Sequence, residues 1–116
     1  MTKTSLAFTP ATELARLIRQ RKVSPVEVVD ELLERIAALN PKLNAYLTVA
    51  EEEARLAARK AEEATRTRED LPPLHGVPIS IKDLYLTKGL RTTGGSLVYK
   101  DNVPQEDAVV VERVRR

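Results

Sequence analysis

Cysteine and tryptophan are absent from this 116-residue chain, and its only histidine is His75. Without cysteine there is no disulfide framework, no cysteine-ligated zinc or iron site and no thiol nucleophile. With one histidine, we expect neither a histidine-rich metal site nor a Ser-His-Asp triad within the chain. The sequence therefore predicts no metal and no cofactor.

Long hydrophobic runs are also missing. No stretch approaches the roughly 18 apolar residues of a membrane span, and residues 1–10 lack the apolar core of a secretory signal. The 19 Lys and Arg residues are offset by 17 Asp and Glu residues, so the net charge is only +2. We expect a cytoplasmic protein that binds neither membranes nor, through this segment, nucleic acid.

Aromatic residues make up 3% of the chain, whereas hydrophobic residues of all kinds make up 42%. This is enough apolar material for the core of about one domain, and that core must be filled with aliphatic side chains. Residues 1–69 are predicted to be mainly helical. Thr9 or Thr12 is expected to cap a first helix that carries Leu14, Leu17 and Ile18 at helical spacing.

A second helix start is marked by Ser24-Pro25-Val26-Glu27. It places a hydroxyl at the N-cap, proline at the first helical position and glutamate at the third, which is a capping box. Apolar residues then recur at helical spacing until Asn40-Pro41, where we expect the helix to end. Residues 43–49 could form a short extended segment, and residues 50–67 are predicted to form a third helix.

The composition changes at residue 70. All four glycines and three of the prolines lie between residues 72 and 95, and residues 77–82 alternate with a period of two, which predicts a short strand. Residues 107–116 begin a further helix without a stop signal. Residues 70–116 are therefore expected to be a Gly/Pro-rich strand-and-turn region that ends inside an element.

Lys82 is the main candidate for chemistry. A lysine in a buried strand must find an acid or lose its proton, and a neutral lysine is a general base. The pattern alone favours the other alternative, in which Lys82 reaches solvent at a sheet edge or pairs with Asp83 or another acid. Asp83 is more readily a hydrogen-bond acceptor than an acid catalyst. Ser96 is expected to shape a glycine-rich turn or to support the site near the substrate.

Residues 74–83 and 88–96 carry a resemblance to a known family. They contain the pattern G-V-P-x-x-x-K-D followed by T-T-G-G-S, and the Ser24 helix start, the Asn40-Pro41 turn and Asp107-Ala108 stand in the same order as in that family. The chain resembles the N-terminal part of the amidase signature family, to which amidases and the amidase subunit of glutamyl-tRNA amidotransferase belong. The resemblance covers about the whole chain.

The resemblance implies an α/β fold, with a mixed sheet flanked by helices, of which this chain would form the helical first half and a short strand region. It also implies a hydrolase acting on linear amide C–N bonds through a Ser, cis-Ser, Lys triad, in which Lys82 would be the proton-relay base. Residues 1–116 would be the N-terminal part of one amidase domain, with no complete second domain.

One departure from the family pattern is important. Both family serines lie in a Gly/Ser-rich stretch that nothing in this chain matches, and neither Ser80 nor His75, which we expect to be exposed in a turn, is expected to act in catalysis. The chain alone is therefore predicted to be inactive. Three functions remain open: part of an amidase with a small-molecule amide substrate, part of the amidase subunit of a tRNA-dependent amidotransferase, or a non-catalytic helical interaction module. A partner subunit or a homo-oligomer is compatible with each.

Overall fold

The computed structural model describes residues 5–116. Its α-helices in that range are α1 (Ala11–Arg19), α2 (Pro25–Leu43), α3 (Glu51–Thr67) and α4 (Val109–Arg115), with short 3-10 turns at Leu6–Phe8 and Leu97–Tyr99. None of the helices in the described range is both long and apolar enough to cross a membrane.

The chain divides into two compact units. The first, here called the helical unit, comprises residues 5–46 and 51–78 and contains α1, α2 and α3. The second, the turn unit, comprises residues 47–50 and 79–116 and contains α4. All of the candidate site residues proposed from the sequence, Lys82, Asp83 and Ser96, fall in the turn unit.

The predicted capping box at the start of α2 is confirmed. The Ser24 hydroxyl accepts the Val26 N–H at 3.0 Å, and the Glu27 carboxylate accepts the Ser24 N–H at 2.9 Å. Two of the unpaired N–H groups at the helix start are thereby satisfied within the segment itself.

The predicted end of α2 at Asn40-Pro41 is wrong, because the helix continues to Leu43 and Asn44 closes it with a φ of 50°. Pro41 lies in the last turn, where its missing N–H removes only one helical hydrogen bond. The Asn40 side chain also exchanges hydrogen bonds with the backbone N–H and carbonyl of Tyr46, at 2.9 and 3.0 Å. This pairing ties the last turn to the residues that follow.

The predicted caps of α1 are also wrong. Pro10 occupies the N-cap position and no side chain caps the helix, while Thr9 donates its N–H to the Leu6 carbonyl and closes the preceding turn. The proline ring fixes φ near the value found here, −54°, so the chain enters α1 without a hydroxyl cap.

The core of the helical unit is aliphatic, as predicted. Ile18 of α1 and Val28 of α2 are fully shielded from solvent and pack with Leu14, and Val77 packs against this cluster from the following segment. A second cluster joins α2 to α3 through Val29, Leu33 and Ala58. The periodic apolar positions of the helices therefore supply the packing.

The predicted α/β fold with a mixed sheet and a short strand region is wrong for the described residues, 5–116, which contain helices and turns but no strand. Residues 77–82 are irregular, and hydrogen bonds at their ends close turns, from the Val77 N–H to the Leu74 carbonyl and from the Tyr85 N–H to the Lys82 carbonyl. A strand needs a partner that accepts and donates ladder hydrogen bonds, and alternation of side chains cannot supply one.

Candidate functional site

Lys82 lies in the irregular segment at the start of the turn unit. Its side chain is exposed, and among residues 5–116 no acidic group lies within ion-pair distance of its ammonium nitrogen. This exposure agrees with the alternative in which Lys82 reaches solvent, although residues 77–82 form no strand. Lys82 does not pair with Asp83. Its charged head is free to meet a group from outside the described residues.

Asp83, the next residue, is hydrogen-bonded to the turn at residues 93–95 through its carboxylate and its backbone carbonyl. Its carboxylate accepts the Thr93 N–H at 2.8 Å, the Gly95 N–H at 3.3 Å and the Thr93 hydroxyl. Its backbone carbonyl accepts the Gly94 N–H at 2.7 Å. The expectation that Asp83 serves as a hydrogen-bond acceptor agrees with this arrangement.

Two opposing effects act on the pKa of Asp83. Partial burial is the largest single effect and raises the pKa, but the hydrogen bonds from the Thr93 hydroxyl and from the Thr93 and Gly95 N–H groups lower it, helped by the charge of Arg91. The balance lies below the ordinary aspartate value. The folded chain therefore favours the ionised carboxylate.

The turn that holds Asp83 depends on glycine at two consecutive positions. Gly94 and Gly95 have φ values of 59° and 72°, in the left-handed region that side chains with a Cβ adopt rarely. A Cβ at either position would meet nothing within 4 Å, so glycine is needed there for backbone conformation and not for space. In this conformation the Gly94 N–H donates to the Asp83 backbone carbonyl and the Gly95 N–H to the Asp83 carboxylate.

Ser96 follows the same turn and shapes its exit. Its N–H donates to the Thr93 carbonyl at 3.0 Å, and its hydroxyl accepts the Val98 N–H at 3.2 Å at the start of a 3-10 turn. These contacts match the turn-shaping role expected from the sequence. A role near the substrate remains a prediction.

Other side chains fasten the turn unit together. Asn102 pairs with Thr92, the Asp107 carboxylate accepts the Lys88 N–H at 2.7 Å, and Arg91 donates to the carbonyls of Lys100 and Leu47 at 2.8 and 3.0 Å. Thr93 and Arg91 were not predicted as site residues. The only available signal was their position in the glycine-rich run, which does not identify a partner.

His75 belongs to the helical unit and is half-buried, so the expectation that it is exposed is wrong. Its Nε2 lies 2.9 Å from the Ala61 carbonyl oxygen and 3.1 Å from the Thr65 hydroxyl. Because a carbonyl can only accept, Nε2 carries the hydrogen. This contact joins the turn at residue 75 to α3, so the imidazole ring of His75 has a structural role.

Within the described part of the chain, no group of three or more His, Asp or Glu side chains could hold a metal ion. A cleft of about 210 Å³ in the helical unit is lined by Arg21, Ser24, Glu62 and neighbouring residues. The Ser24 hydroxyl already donates to the Glu62 carboxylate at 2.7 Å there, so these two groups are satisfied by each other. The cleft contains none of the predicted site residues.

Comparison with known proteins identifies the class. The family model described as Amidase matches residues 27–116. The chain is 39% identical over 110 residues to a glutamyl-tRNA(Gln) amidotransferase subunit of Carboxydothermus hydrogenoformans, covering 95% of this chain and 23% of the relative. It is 37% identical over 115 residues to an acylamidase of Rhodococcus erythropolis, covering 99% of this chain and 24% of that enzyme.

One solved structure has a similar fold over most of the chain. It is described as an unexpected vestigial protein complex that reveals the evolutionary origins of an s-triazine catabolic enzyme, in an inhibitor-bound form. The match has a TM-score of 0.86 at 30% identity and covers 92% of this chain and 24% of the solved chain. The chain belongs to the amidase family, and it spans about a quarter of the length of these relatives. The relatives named here give no support to a non-catalytic helical interaction module.

Proposed function

We propose that residues 1–116 are the N-terminal part of one amidase domain and that the complete polypeptide hydrolyses the C–N bond of a small-molecule amide. The family match over residues 27–116 carries this proposal. Residues 1–69 supply the helical part, and residues 70–116 supply the turn region and the start of a further helix. No complete second domain is included.

In the proposed mechanism, Lys82 is the base of a Ser, cis-Ser, Lys triad. Lysine accepts a proton from the cis serine, which accepts the proton of the nucleophilic serine, and the serine oxygen attacks the amide carbon. The C–N bond then breaks, ammonia or an amine leaves with a proton, and water releases the acid from the acyl-enzyme. Both serines would come from residues outside this chain.

The surroundings of Lys82 support this role. Its side chain is exposed and has no acidic partner among residues 5–116, so it can approach a serine from another segment. Burial by that segment would disfavour the charged form of the lysine and so increase the fraction able to accept a proton. The adjacent Asp83 is held by the turn at residues 93–95 and does not neutralise Lys82.

The test is Lys82→Ala in the complete amidase polypeptide, with Lys100→Ala as the matched control because Lys100 is also an exposed lysine of the turn unit. Lys82→Ala should lower kcat by about 10³-fold or more while the fold is retained, since loss of one relay member disables the nucleophile. The Lys100 variant should keep its kcat. Near-normal acylation in a folded Lys82→Ala enzyme would overturn the assignment.

A second candidate function is favoured by the relatives that are amidotransferase subunits, such as that of Carboxydothermus hydrogenoformans. In that case the complete polypeptide would hydrolyse glutamine, pass ammonia to a misacylated tRNA and work with a partner subunit. Glutaminase activity together with a co-purifying partner would support this alternative. Hydrolysis of simple amides by the polypeptide alone, without glutaminase activity, would support the first.

The 116-residue chain by itself is expected to be inactive, because a relay base without a nucleophile cannot form an acyl-enzyme. An amide-hydrolysis assay of the purified chain tests this directly. Turnover that disappears in Ser80→Ala would show that Ser80 is a nucleophile and would contradict the expectation.

A further inference from the structure

The backbone at Lys82 and Asp83 is held much more firmly than the Lys82 side chain. The Lys82 carbonyl accepts the Tyr85 N–H at 3.0 Å, and the Asp83 carbonyl accepts the Gly94 N–H at 2.7 Å. The Lys82 side chain, in contrast, has no hydrogen bond or ion pair to any of residues 5–116. The hydrogen bonds of the backbone therefore determine the position from which the Lys82 side chain extends.

Asp83, the residue after the lysine, makes further hydrogen bonds through its side chain. The Asp83 carboxylate receives the Thr93 hydroxyl and the N–H groups of Thr93 and Gly95, and we call these four groups the Asp83 clamp. Thr93 is 5% exposed, so water has little access to its donors. If the carboxylate were removed, buried donors would lose their acceptor, which is costly.

We propose that Asp83 is a positioning residue for the amidase reaction, whose carboxylate and carbonyl fix the backbone of Lys82 on the Thr93–Gly95 turn. The inference rests on the proposed function in one respect, which is that Lys82 acts as the base. Asp83 does not itself touch substrate or exchange a proton in this role. Its effect on the reaction passes through the position of Lys82.

The clamp requires a carboxylate and not merely a polar side chain of the same size. Donors converge on both oxygens, with the Thr93 N–H on Oδ1 and the Thr93 hydroxyl and Gly95 N–H on Oδ2. Asparagine offers one acceptor oxygen, and its NH₂ group would face donors on the other side. Asp83→Asn should therefore open the clamp while preserving volume.

The consequence for rate follows from geometry. A proton relay needs its members within hydrogen-bond reach, and a displacement of about 1 Å can lower the rate about 100-fold. Loss of the clamp should thus lower kcat, while binding of the amide, which does not involve Asp83, should change little. A residue that only stabilised the fold would also lower the apparent kcat at constant KM, because less enzyme is active. The kcat of each variant is therefore divided by its folded fraction, and for such a residue the corrected kcat should be unchanged.

The first experiment measures the clamp in the complete amidase polypeptide, without any enzymatic reaction. NMR order parameters of the Lys82 and Asp83 amides are compared in the original chain, Asp83→Asn and the control Asp101→Asn, whose exposed side chain has no hydrogen bond within residues 5–116. The order parameter of Lys82 should fall from about 0.85 toward 0.6 in Asp83→Asn and stay unchanged in the control. An unchanged value in folded Asp83→Asn would overturn the proposal.

A second pair of variants covers the case in which Asp83→Asn does not fold. Thr93→Val keeps the shape of the side chain but removes the hydroxyl, which donates to Asp83 and accepts the Gly95 N–H at 3.1 Å. Thr93→Ser keeps this hydroxyl. Thr93→Val should loosen Lys82, and Thr93→Ser should leave it ordered. Equal order parameters in these two variants would also count against the clamp.

The closing experiment uses the complete amidase polypeptide. Asp83→Asn should lower kcat about 10- to 100-fold with KM within about twofold, and Thr93→Ser should retain kcat. If Lys82 loosens but kcat is unchanged, the positioning role is wrong while Lys82 can still be the base. If Lys82→Ala keeps normal activity, the proposed function fails, whatever the order parameters show.

Discussion

The helical unit and the turn unit are stabilised in different ways. Ile18 and Val28 in the helical unit are 0% exposed and belong to a continuous aliphatic cluster. The turn unit buries Val111 and, in addition, three threonines, Thr87, Thr92 and Thr93, each of which hydrogen-bonds through its hydroxyl. Apolar burial is the main stabilising effect in the first unit, and side-chain to backbone hydrogen bonds define the second.

This difference explains why the candidate site lies in the turn unit. Packed helices fix residues through many interchangeable contacts, whereas hydrogen bonds with defined partners fix individual atoms. In the turn unit, Asp83, Arg91 and Asp107 each bind backbone groups distant in sequence. Such ties hold irregular backbone in one conformation, and irregular backbone is where functional groups are commonly presented.

The largest effect should come from truncating the core of the helical unit. Ile18→Ala should lower the free energy of unfolding by about 2–5 kcal/mol, because it removes a fully buried side chain and leaves a cavity. Leu97→Ala is the matched test in the turn unit, where Leu97 is 87% exposed, and it should change stability by less than about 0.5 kcal/mol. Urea titrations of both variants measure this contrast. Similar losses in the two would contradict it.

Replacing glycine by alanine should also destabilise the two units to different extents. Gly76→Ala in the helical unit combines a φ of 76° with a Cβ that would lie 2.9 Å from Pro25 Cγ and 3.2 Å from Ile18 Cγ2. Gly94→Ala in the turn unit meets only the conformational penalty of its positive φ, about 1–2 kcal/mol. Gly76→Ala should therefore be the more destabilising of the two. The order of their thermal midpoints tests this, and a reversed order would contradict it.

The sequence predicts the helical unit better than the turn unit for a physical reason. The α2 capping box is local, since Ser24 and Glu27 are three positions apart, and the apolar repeat of α2 reflects its own geometry. The pairing of Asp83 with Thr93 spans ten positions and leaves no periodic trace. The alternation at residues 77–82 is also local, but a strand requires a distant partner, so the predicted strand was wrong.

The site could be predicted only in part. The residue pattern made Lys82 a candidate, and the family resemblance assigned it the role of relay base. The match to the amidase family confirms that resemblance. The functional roles of Lys82, Asp83 and Ser96 stay predictions. The wrong end assigned to α2 has a similar cause, because the hydrogen bonds of Asn40 with Tyr46 reach beyond the helix.

A smaller effect is expected at the start of α2. Ser24→Ala removes the hydroxyl that accepts the Val26 N–H and donates to Glu62, and it should lower the free energy of unfolding by about 1 kcal/mol or somewhat more. Ser80→Ala is the control, because Ser80 is exposed and its hydroxyl has no hydrogen bond among residues 5–116. Thermal or urea unfolding of both variants provides the comparison. A loss in Ser80→Ala as large as that in Ser24→Ala would refute the local capping account.

The smallest expected effect is the pH dependence that the Asp83 clamp gives to the turn unit. Partial burial raises the pKa of Asp83, but the Thr93 and Gly95 donors and the charge of Arg91 together lower it by more, so the folded-state pKa lies below the unfolded one. The folded chain then binds fewer protons than the unfolded chain in this range. The stabilising contribution is complete above the unfolded pKa, about 3.9, and is lost as the pH falls through the folded value.

The stability difference between the original chain and Asp83→Asn should therefore be largest near neutral pH and shrink on acidification below about pH 4. The same comparison in a Thr93→Val background is the control, because that substitution removes the hydroxyl hydrogen bond, the strongest effect that lowers the pKa. Urea titrations at a series of pH values measure both differences. With the hydroxyl gone, the pH dependence should weaken. An equally strong dependence in both backgrounds would mean that the Thr93 hydroxyl does not hold the ionised carboxylate, and the clamp would then have to depend on the backbone donors alone.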